Sequence, residues 1–432
     1  MKNYVDVEER LPLLKSIPLS FQHLFAMVGA TILVPIILGM SPSIALFASG
    51  VGTLIYIMCT KAKLPAYVGS SFAFITPMLT VMNKYGVEAM LFGIISAGVV
   101  YVIVSGIIKL VGINWINKTL PPIVVGSVVI VIGLGLAGVA IGWAGLGGKL
   151  PDEIVAYNIS RWKCILVALI TLSTAIIGSM YFKGFLGVIP ILISMVVGYV
   201  FAIFIGVIPH DVMIKIGEAC HINNIIQIPS FKFPKFNIDA IIIMAPVAFV
   251  TLAEHIGHVY VTNNVCDRDF TKEPGLHRSI LGDGLATIFA GFIGGPPNTT
   301  YGENIGVLAI TRIFSVQVIA GAAIIAIVLS FIAPVAVILE NMPKPVMGGV
   351  SILLFGIIAS SGFRVFVENK IDFSKKRNLI ISSVIIVIGL GGASIKIPHS
   401  QVEIAGVALA TLVGIFLNIV LPKQSKTEKV NK

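Results

Sequence analysis

An apolar segment of the chain is broken by Gly294-Gly-Pro-Pro-Asn-Thr-Thr-Tyr-Gly-Glu-Asn-Ile-Gly306. An earlier apolar segment is broken in the same way by Pro65-Ala-Tyr-Val-Gly-Ser-Ser-Phe-Ala-Phe-Ile-Thr-Pro77. Neither stretch suits a continuous helix, because proline removes a backbone donor and glycine favours non-helical conformations. Such backbone is stable at membrane depth only where protein buries it or a water-filled cavity borders it. The two stretches therefore indicate a binding site inside a membrane, or else two structural kinks at a helix interface.

The composition around these stretches is that of a membrane protein. The chain has 432 residues, of which 56% are hydrophobic and 12% are charged, whereas a soluble domain carries about 25% charged residues. The length of its apolar runs is close to the roughly 20 residues that a helix needs to cross the hydrocarbon core of a membrane. This composition excludes a water-soluble core and predicts an all-α polytopic membrane protein that contacts the lipid bilayer.

The apolar runs predict fourteen membrane-spanning segments. They lie near residues 18–40, 43–60, 64–82, 88–108, 122–142, 164–182, 185–208, 240–262, 279–295, 302–315, 318–338, 345–363, 379–395 and 403–421. The stretch before the first segment is acidic and lacks a small-residue cleavage pattern, so we expect the first segment to remain in the protein.

The charge distribution predicts the orientation. We predict a protein of the plasma membrane with both termini in the cytoplasm. In this orientation the inner loops and tails contain most of the 30 Lys and Arg residues, as the positive-inside rule requires. These cations include Lys375, Lys376, Arg377, Lys423, Lys426, Lys429 and Lys432. Anionic lipid beside these loops accounts for the net charge of +10. The sequence has no basic stripe with interleaved aromatic residues, so we do not predict nucleic acid as a partner.

The longest polar interruption, at residues 209–239, divides the predicted segments into seven and seven. If the halves are structural repeats, an odd number of segments in each half inverts the second repeat relative to the first. The two broken stretches are the third segment of each half, which makes them the third and tenth of the chain. Paired breaks at matching positions are the best sequence pointer to the binding site of a transporter.

A glutamate and a histidine in the eighth segment are candidates for function. Glu254 lies in the middle of this apolar segment, and His258 follows it four residues later on the same helical face. A charged carboxylate is costly inside a membrane, so its protonation depends on its neighbours and on access to water. The pair could bind a ligand or a proton, or it could be a mutually satisfied pair that holds helices together.

Three further polar residues lie in or near predicted segments. Glu303, in the second broken stretch, is at the expected start of a half-helix, where free N–H groups stabilise negative charge; it could bind a ligand or only cap the helix. His23 could face a pore or be a satisfied core histidine. Asp283 is near the predicted start of its segment, which favours a role as a terminal cap.

Other motifs argue against an enzyme. Glu254-His-Ile-Gly-His258 superficially resembles a zinc-protease motif, but its histidines are three residues apart and the order of residues is wrong for two ligands at i and i+4. The four cysteines have no metal-like spacing. Gly133 and Gly135 are better explained as helix-packing glycines than as a nucleotide loop, because no strand precedes them. We predict no metal, no cofactor and no catalytic residues.

The second broken stretch continues into a recognisable motif. Glu303-Asn-Ile-Gly-Val-Leu-Ala-Ile-Thr-Arg312 matches the pattern [QEP]-N-x-G-x-x-x-x-T-R-x-x-G, except that Ser315 replaces the final glycine. On this motif the chain resembles the nucleobase-ascorbate transporter family. Further similar stretches are Gln22 to Thr31, Pro65 to Pro77, Ala253 to His258 and Pro297 to Glu303. The resemblance therefore covers nearly the whole chain.

The resemblance implies two inverted repeats of seven helices, in which the third and tenth segments begin with short strands that cross beside the substrate. It also implies a core domain, a gate domain and a homodimer, to which segments 345–363 and 403–421 are plausible contributors. Each domain is drawn from both repeats. The implied core domain comprises residues 1–120 and 240–338, the gate domain comprises 121–208 and 339–421, an extracytoplasmic loop covers 209–239, and a cytoplasmic tail covers 422–432.

The resemblance also implies a pocket for uracil. Glu254 and Glu303 would accept its ring N–H groups, the backbone N–H groups of Phe72 and Gly302 would donate to its carbonyl oxygens, and Tyr301 would shape the pocket. His258 would support Glu254 and share the coupled proton with it. The residues implied to support the pocket are His23, Ala30, Ser71, Asn304 and Phe355. Phe355 stands where a close relative has tyrosine, so packing replaces a hydroxyl contact.

The chemistry of the ligand agrees with this set of residues. Uracil has two N–H donors and two carbonyl acceptors, and a buried polar group without a partner costs about 1–3 kcal/mol. The sequence thus predicts a uracil and proton symporter. The alternatives are a carrier of the same fold for xanthine, uric acid or ascorbate, against which Glu303 in place of glutamine argues, and a sensor without transport. A channel would need a continuous polar stripe, and an intramembrane enzyme a nucleophile with its base; neither is visible.

Overall fold

The computed structural model describes residues 4–221, 224–396 and 403–422. The first half of the chain contains one short strand and ten helices among these residues. In chain order they are α1 (Leu13–Ile37), α2 (Pro42–Cys59), β1 (Val68–Ser70), α3 (Ile75–Tyr85), α4 (Val87–Val111), α5 (Asn114–Thr119), α6 (Pro122–Gly135), α7 (Ala137–Trp143), α8 (Asp152–Ala156), α9 (Arg161–Tyr181) and α10 (Pro190–Phe204).

The second half continues with helices and three further strands. In chain order they are α11 (His210–Ala219), α12 (Ile238–Met244), α13 (Val247–Cys266), α14 (Leu276–Ile293), β2 (Asn298–Thr300), α15 (Gly302–Thr311), α16 (Val316–Ser330), α17 (Ala333–Glu340), α18 (Lys344–Glu368), α19 (Lys376–Leu390), β3 (Ser394–Lys396), β4 (Glu403–Ala405) and α20 (Gly406–Val420). The tail lysines that entered the charge argument, residues 423–432, lie outside the described residues.

Several helices have the length and composition of membrane spans. Among the described residues, seven helices are long and apolar enough to cross a membrane. They are Leu13–Ile37, Pro42–Cys59, Val87–Val111, Pro122–Trp143, Arg161–Tyr181, Ile238–Cys266 and Lys344–Glu368. Shorter apolar helices include α10, α16 and α20. The prediction of a helical, multi-pass membrane protein is therefore confirmed.

The ends of two predicted segments are wrong. We expected helix over 379–395 and from 403 onward, but residues 394–396 and 403–405 form the antiparallel strands β3 and β4. The β-branched residues Ile395 and Ile404 lie opposite each other in this pair, and such residues favour strands. Gly392, whose φ is 72°, ends the preceding helix because that conformation is costly for other residues.

The helices pack in two groups, each drawn from both halves of the chain. In the group that we call the first bundle, α14 packs against α2 and α4, and α16 packs against α1 and α2. In the second bundle, α18 packs against α6 and α9, α10 against α9, and α19 against α6 and α20. Helix α13 contacts α4 and α15 as well as α6 and α20, so it lies between the bundles.

Small residues allow the closest of these helix contacts. A Cβ atom on Gly284 of α14 would lie 2.8 Å from Cβ of Tyr101 and 3.0 Å from the carbonyl oxygen of Gly98 on α4. Gly133 of α6 is a packing glycine as predicted, since a Cβ there would lie 2.6 Å from the carbonyl oxygen of Phe355 on α18. The same prediction is wrong for Gly135, where a Cβ would meet no atom within 4 Å.

The residues before α1 run beside the residues that follow α15. The N–H of Val5 donates to the carbonyl of Arg312 (3.0 Å), and the N–H of Phe314 donates to the carbonyl of Val5 (2.9 Å). An ion pair joins Asp6 to Arg268 after α13, with Oδ1 2.9 Å from Nη2. The acidic N-terminal stretch therefore anchors the far end of the second broken segment.

Candidate functional site

The two broken segments meet as a pair of antiparallel strands inside the first bundle. Val68 lies opposite Thr300, Gly69 opposite Thr299 and Ser70 opposite Asn298. The pairing is extended at one end by Ser71, whose N–H donates to Pro297 (3.0 Å), and at the other by Tyr301, whose N–H donates to Tyr67 (3.0 Å). These bonds satisfy the backbone groups that the glycines and prolines free from a helix, which is why both breaks are stable at membrane depth.

Side chains of the neighbouring helices hold the strands in place. The hydroxyl of Thr53 on α2 donates to the carbonyl of Val68 (3.2 Å) and accepts from its N–H (3.1 Å). The hydroxyl of Thr287 on α14 donates to the carbonyl of Asn298 (2.8 Å). The amide of Asn298 donates in turn to the carbonyls of Ala48 (3.1 Å) and Ala286 (3.4 Å). The strand pair is therefore tied to α2 and α14.

Replacing Asn298 by alanine is expected to destabilise the protein by about 1–3 kcal/mol, because two buried hydrogen bonds are lost. Asn224→Ala is the matched control, since that exposed side chain donates only to the carbonyl of Glu218 (3.1 Å) and surface changes usually stay within about 0.5 kcal/mol. Thermal unfolding of both variants in detergent measures the difference. Equal melting temperatures would show that Asn298 does not secure the strand.

A helix begins directly after each strand. A single 3-10 turn, Phe72–Phe74, leads from β1 into α3, and α15 begins at Gly302, two residues after β2 ends. The free N–H groups of a helix start carry positive partial charge. The antiparallel pairing thus brings two such starts to one small region, as in the discontinuous helices that bind substrates in secondary transporters.

An aromatic contact joins this region to the second bundle. The rings of Phe72, after β1, and Phe355, on α18, are T-shaped with centroids 6.1 Å apart and an interplanar angle of 81°. Phe355 is buried, whereas Phe72 is half-buried. The sequence-predicted aromatic residue therefore lies next to the first broken segment, on the opposite bundle.

Tyr301 braces the strand crossing. Its hydroxyl lies 3.2 Å from Oγ1 of Thr31 on α1 and donates to the carbonyl of Ser70 (3.3 Å). A Cβ on Gly69 would lie 2.7 Å from the Tyr301 ring, so only glycine fits beneath it. Ala30 is buried in α1 beside Thr31. The predicted pocket residue Tyr301 thus packs against β1, and Ala30 is buried one residue before its partner Thr31.

Some buried polar atoms beside the strands have no protein partner. Among the described residues, Oγ of Ser71, Oγ1 of Thr299 and Oδ1 of Asn298 are buried without a hydrogen bond. Such atoms are costly unless a ligand or water satisfies them. Ser71, predicted to support the pocket, is therefore able to bond with a bound polar molecule.

His23 is a satisfied core histidine. Its side chain is buried on α1, and Nδ1 lies 2.9 Å from Oδ1 of Asn304 on α15. The amide of Asn304 donates to the carbonyl of Pro65 (3.3 Å), just before β1. This chain of contacts fixes the start of α15 against the first broken segment, so both residues position the site from behind.

The two predicted glutamates lie in the same region. Glu254 is half-buried on α13, and Glu303, the second residue of α15, is accessible. Their charges interact with each other, and the charge of Asp283 also acts on Glu254. A carboxylate facing lipid is costly, so we expect the exposed side of Glu303 to face water or a ligand.

Three exposed residues of α15 lie on one side of the helix. Glu303, Gly306 and Ile310 are exposed at spacings of three and four residues, which places them on one face of the helix. This face leads from the strand crossing toward Arg312 and the N-terminal stretch. This face is charged at Glu303 and apolar at Gly306 and Ile310.

His258 lies against the start of α15. Its Nδ1 is 3.0 Å from the carbonyl oxygen of Thr300, and a Cβ on Gly302 would lie 3.2 Å from its Nε2. Among the residues that the structure describes, this ring contacts β2 and Gly302 rather than making a hydrogen bond with Glu254. The support of Glu254 by His258 stays a prediction.

Two buried residues were missed or misjudged from the sequence. Asp283 is not a terminal cap: it is the eighth residue of α14, which begins at Leu276, and its side chain is 1% exposed. His255, 0% exposed on α13, lies 2.9 Å from it, Nδ1 to Oδ2. The misjudgement came from starting this helix at residue 279; a start three residues earlier would have marked an aspartate in the middle of a span.

Fold and site together define a class of protein. An apolar helical chain in which two interrupted segments pair, and in which two carboxylates lie near the start of a half-helix, has the organisation of a membrane carrier. Among the described residues, no group of three or more His, Cys, Asp or Glu side chains is arranged to hold a metal ion.

The chain belongs to the nucleobase-ascorbate transporter family, since the family model described as the permease family matches residues 14–397. The uracil permease of Paenibacillus larvae is 47% identical over 426 residues, which cover 96% of this chain and 97% of that protein. The uracil permease of Bacillus caldolyticus is 49% identical over 427 residues, with coverages of 98% and 95%. That of Escherichia coli strain K12 is 46% identical over 419 residues, with coverages of 96% and 93%.

Solved structures share the fold at low sequence identity. The transmembrane domain of the cyanobacterial bicarbonate transporter BicA has a TM-score of 0.64 and 14% identity, and the match covers 95% of this chain and 99% of that one. The structure of SLC26A9 has a TM-score of 0.63 and 13% identity, with coverages of 94% and 64%. The matches therefore show a shared fold and carry no statement about the function or the substrate.

Proposed function

We propose that this chain is a uracil:proton symporter that imports uracil by alternating access. The observation that carries this proposal is the position of Glu303, accessible at the start of α15 and interacting electrostatically with Glu254. The names of the relatives, uracil permeases of 46% to 49% identity over nearly the full length, support the choice of uracil.

The proposed recognition matches each polar group of a flat pyrimidine. Glu254 and Glu303 accept the two ring N–H groups, and the backbone N–H groups of Phe72 and Gly302 donate to the two carbonyl oxygens. The hydroxyl of Ser71, which has no hydrogen-bond partner among the described residues, provides a further hydrogen bond to the ligand. The T-shaped pair of Phe72 and Phe355 covers one face of the pyrimidine ring. Charge-assisted hydrogen bonds of this kind are about twice as strong as neutral ones.

Proton coupling is assigned to Glu254 and His258. An intramembrane carboxylate changes its protonation when access to water or its charged neighbours change. Glu254 meets both conditions, because it is half-buried and feels the charge of Glu303. Because uracil and the proton bind at the same site, the transport of one is linked to the transport of the other.

The proposed architecture has fourteen segments in two inverted repeats of seven. The first bundle, from residues 1–120 and 240–338, is the core domain that carries the strands, and the second bundle, from 121–208 and 339–421, is the gate domain. The packing of each bundle from both halves of the chain supports this division. Movement of the core against the gate would separate Phe72 from Phe355 and open the site to the other side.

The same proposal places the protein in the plasma membrane with both termini in the cytoplasm and residues 209–239 outside. We also propose a homodimer, to which segments 345–363 and 403–421 contribute. The exposed apolar residues Ile357, Phe363 and Phe416 on α18 and α20 are available for contact with lipid or with a second copy.

A carrier of the same fold for another nucleobase, such as xanthine or uric acid, is the alternative. Glu303 argues against it, because a carboxylate accepts hydrogen bonds from an N–H group and cannot donate one to a ring acceptor. Uptake experiments that compare uracil with xanthine and uric acid distinguish the two proposed substrates.

Uptake of labelled uracil by proteoliposomes tests the proposal. We expect accumulation when an inward proton gradient is imposed and only equilibration when the gradient is collapsed. Unlabelled uracil should compete, whereas xanthine and uric acid should leave uptake nearly unchanged. Stronger competition by xanthine than by uracil would support the alternative substrate, and accumulation that ignores the gradient would contradict proton coupling.

A further inference from the structure

Residues 5–11, which we call the N-terminal stretch, join the ends of the two helices that carry the predicted glutamates. Glu254 lies on α13, which ends at Cys266, and Glu303 lies on α15, which ends at Thr311. The N-terminal stretch contacts the residues that follow each of these ends. Its contacts therefore lie at the ends of the helices that are remote from both glutamates.

Backbone hydrogen bonds attach the N-terminal stretch to the connection between α15 and α16. The N–H of Val5 donates to the carbonyl of Arg312 (3.0 Å), and the N–H of Val316 donates to the carbonyl of Val7 (3.0 Å). Val7 is 1% exposed, so the attachment is packed into the protein. The end of α15 therefore cannot shift unless the stretch moves with it or these bonds break.

Two side chains that follow α15 add hydrogen bonds to the same stretch. Gln317 bonds with both backbone groups of Leu11, because its Oε1 accepts from the N–H (3.0 Å) and its Nε2 donates to the carbonyl (3.2 Å). The hydroxyl of Ser315 donates to the carbonyl of Glu9 (2.6 Å). Ser315 stands where the family motif has glycine, which has no side chain to make this bond.

An arginine attaches the N-terminal stretch to α13. Nη2 of Arg268 lies 2.9 Å from Oδ1 of Asp6, and Nη1 lies 3.5 Å from Oε1 of Glu8. The N–H of Arg268 donates to the carbonyl of Asn263 (3.1 Å), within α13. The backbone of this arginine is therefore fixed to the helix while its guanidinium holds the stretch.

Helices α13 and α15 also contact each other near the proposed site. Nδ1 of His258 lies 3.0 Å from the carbonyl oxygen of Thr300, and a Cβ on Gly302 would lie 3.2 Å from Nε2 of the same ring. Two attachments at different positions along a pair of helices fix the angle between them as well as their separation. Because a binding site has to be held to within about 0.5 Å, the attachment at the remote ends affects the spacing of Glu254 and Glu303.

We propose that the N-terminal stretch positions the proposed uracil site, with Arg268 and Gln317 as the positioning residues. They hold α13 and α15 at the spacing that lets Glu254 and Glu303 bind one ligand. This inference rests on the proposed function, because the spacing matters for binding only if both glutamates contact the same molecule. Each positioning residue acts on the site through the stretch and through a helix, without contact with the ligand.

Arg268→Gln and Gln317→Leu test the proposal, with Arg364→Gln as the matched control. Arg364 also forms an ion pair, but its partner Glu368 is on the same helix (Nε to Oε1, 2.6 Å), so this pair does not join two helices. We expect each test variant to bind uracil about threefold to tenfold more weakly than wild type, a typical size for residues that act from a distance. The control should bind as wild type does. Titration of the purified proteins with uracil in detergent measures the dissociation constants.

Further variants separate positioning from a general loss of stability. Arg268→Lys keeps a positive charge beside Asp6 and should recover most of the affinity that Arg268→Gln loses. Combining Asp6→Asn with Arg268→Gln should weaken binding no more than Arg268→Gln alone, because both changes remove the same contact. If Arg268→Gln and Gln317→Leu lower the melting temperature but bind uracil as tightly as the control, the stretch has only a structural role and the inference is overturned.

Ser315→Ala provides a further variant in case a test variant does not fold, because it removes only the hydroxyl that bonds to Glu9. It should also bind uracil more weakly, and wild-type affinity in this variant would contradict the inference. Binding by wild type distinguishes the two proposals. If wild type and all variants bind uracil equally well, only the positioning role is refuted. If wild type does not bind uracil at all, the proposed function fails, and this inference fails with it.

Discussion

Glu303→Gln is expected to abolish gradient-driven accumulation of uracil. Glu303 is the second residue of α15 and is accessible, so its carboxylate would accept a ring N–H group. Glutamine keeps the shape but loses the charge, and its amide donors oppose the donors of uracil. A hydrogen bond to a charged group contributes about 1.5–3 kcal/mol, which corresponds to roughly ten- to hundredfold weaker binding.

Glu254→Gln should have the same effect on accumulation for a related reason. This residue would accept the second ring N–H group and also carry the proton, so the variant loses both functions. Glu218→Gln is the matched control, since Glu218 is exposed on α11. Measuring the binding of labelled uracil as well as its accumulation separates a loss of substrate binding from a loss of proton coupling. Normal gradient-driven uptake in either Glu254→Gln or Glu303→Gln would refute the assignment of that residue.

Gly69→Ala is expected to weaken uracil binding by about tenfold or more, because overpacking a closed site costs about 1–3 kcal/mol. The added methyl group would lie 2.7 Å from the Tyr301 ring. That ring is 4% exposed and held by Thr31 and Ser70, so it has no room to move alone. The strand end and the N–H of Gly302 must shift with it.

Gly106→Ala is the control for this change. A Cβ on Gly106 of α4 would meet no atom within 4 Å, and alanine favours the helix more than glycine does. Uracil dissociation constants and melting temperatures of both variants measure the effect. If Gly69→Ala binds uracil as Gly106→Ala does, the position of Tyr301 does not govern the pocket.

Local patterns were sufficient for much of the fold. The breaks around Gly69 and Thr299, the helix start at Glu303 and the length of most apolar segments follow from proline, glycine and charge, whose effects act within a few residues. The short strands that the family resemblance implies are present in both broken segments. Helix ends were less well predicted, because the strands near Ile395 and Ile404 depend on their pairing with each other.

Partners that are distant in the chain could not be predicted from local patterns. Phe72 and Phe355 belong to different bundles, and the hydroxyl of Tyr301 finds a carbonyl 231 residues away. Asp283 looked like a cap because its neighbours in the chain are compatible with a helix start. Its relation to His255 depends on the packing of α13 against α14.

The sequence by itself determined that this is a multi-pass membrane protein of the nucleobase-ascorbate transporter family with two broken segments and two carboxylates in its interior. Those conclusions depend on composition, spacing and a motif, which can be recognised without contacts. Only the tertiary structure decided that the breaks satisfy each other as paired strands, that Glu303 is accessible at the start of α15, and that the buried His255 contacts both Asp283 and Thr300. Backbone groups freed from a helix need partners, but their own segment does not specify which distant residues provide them.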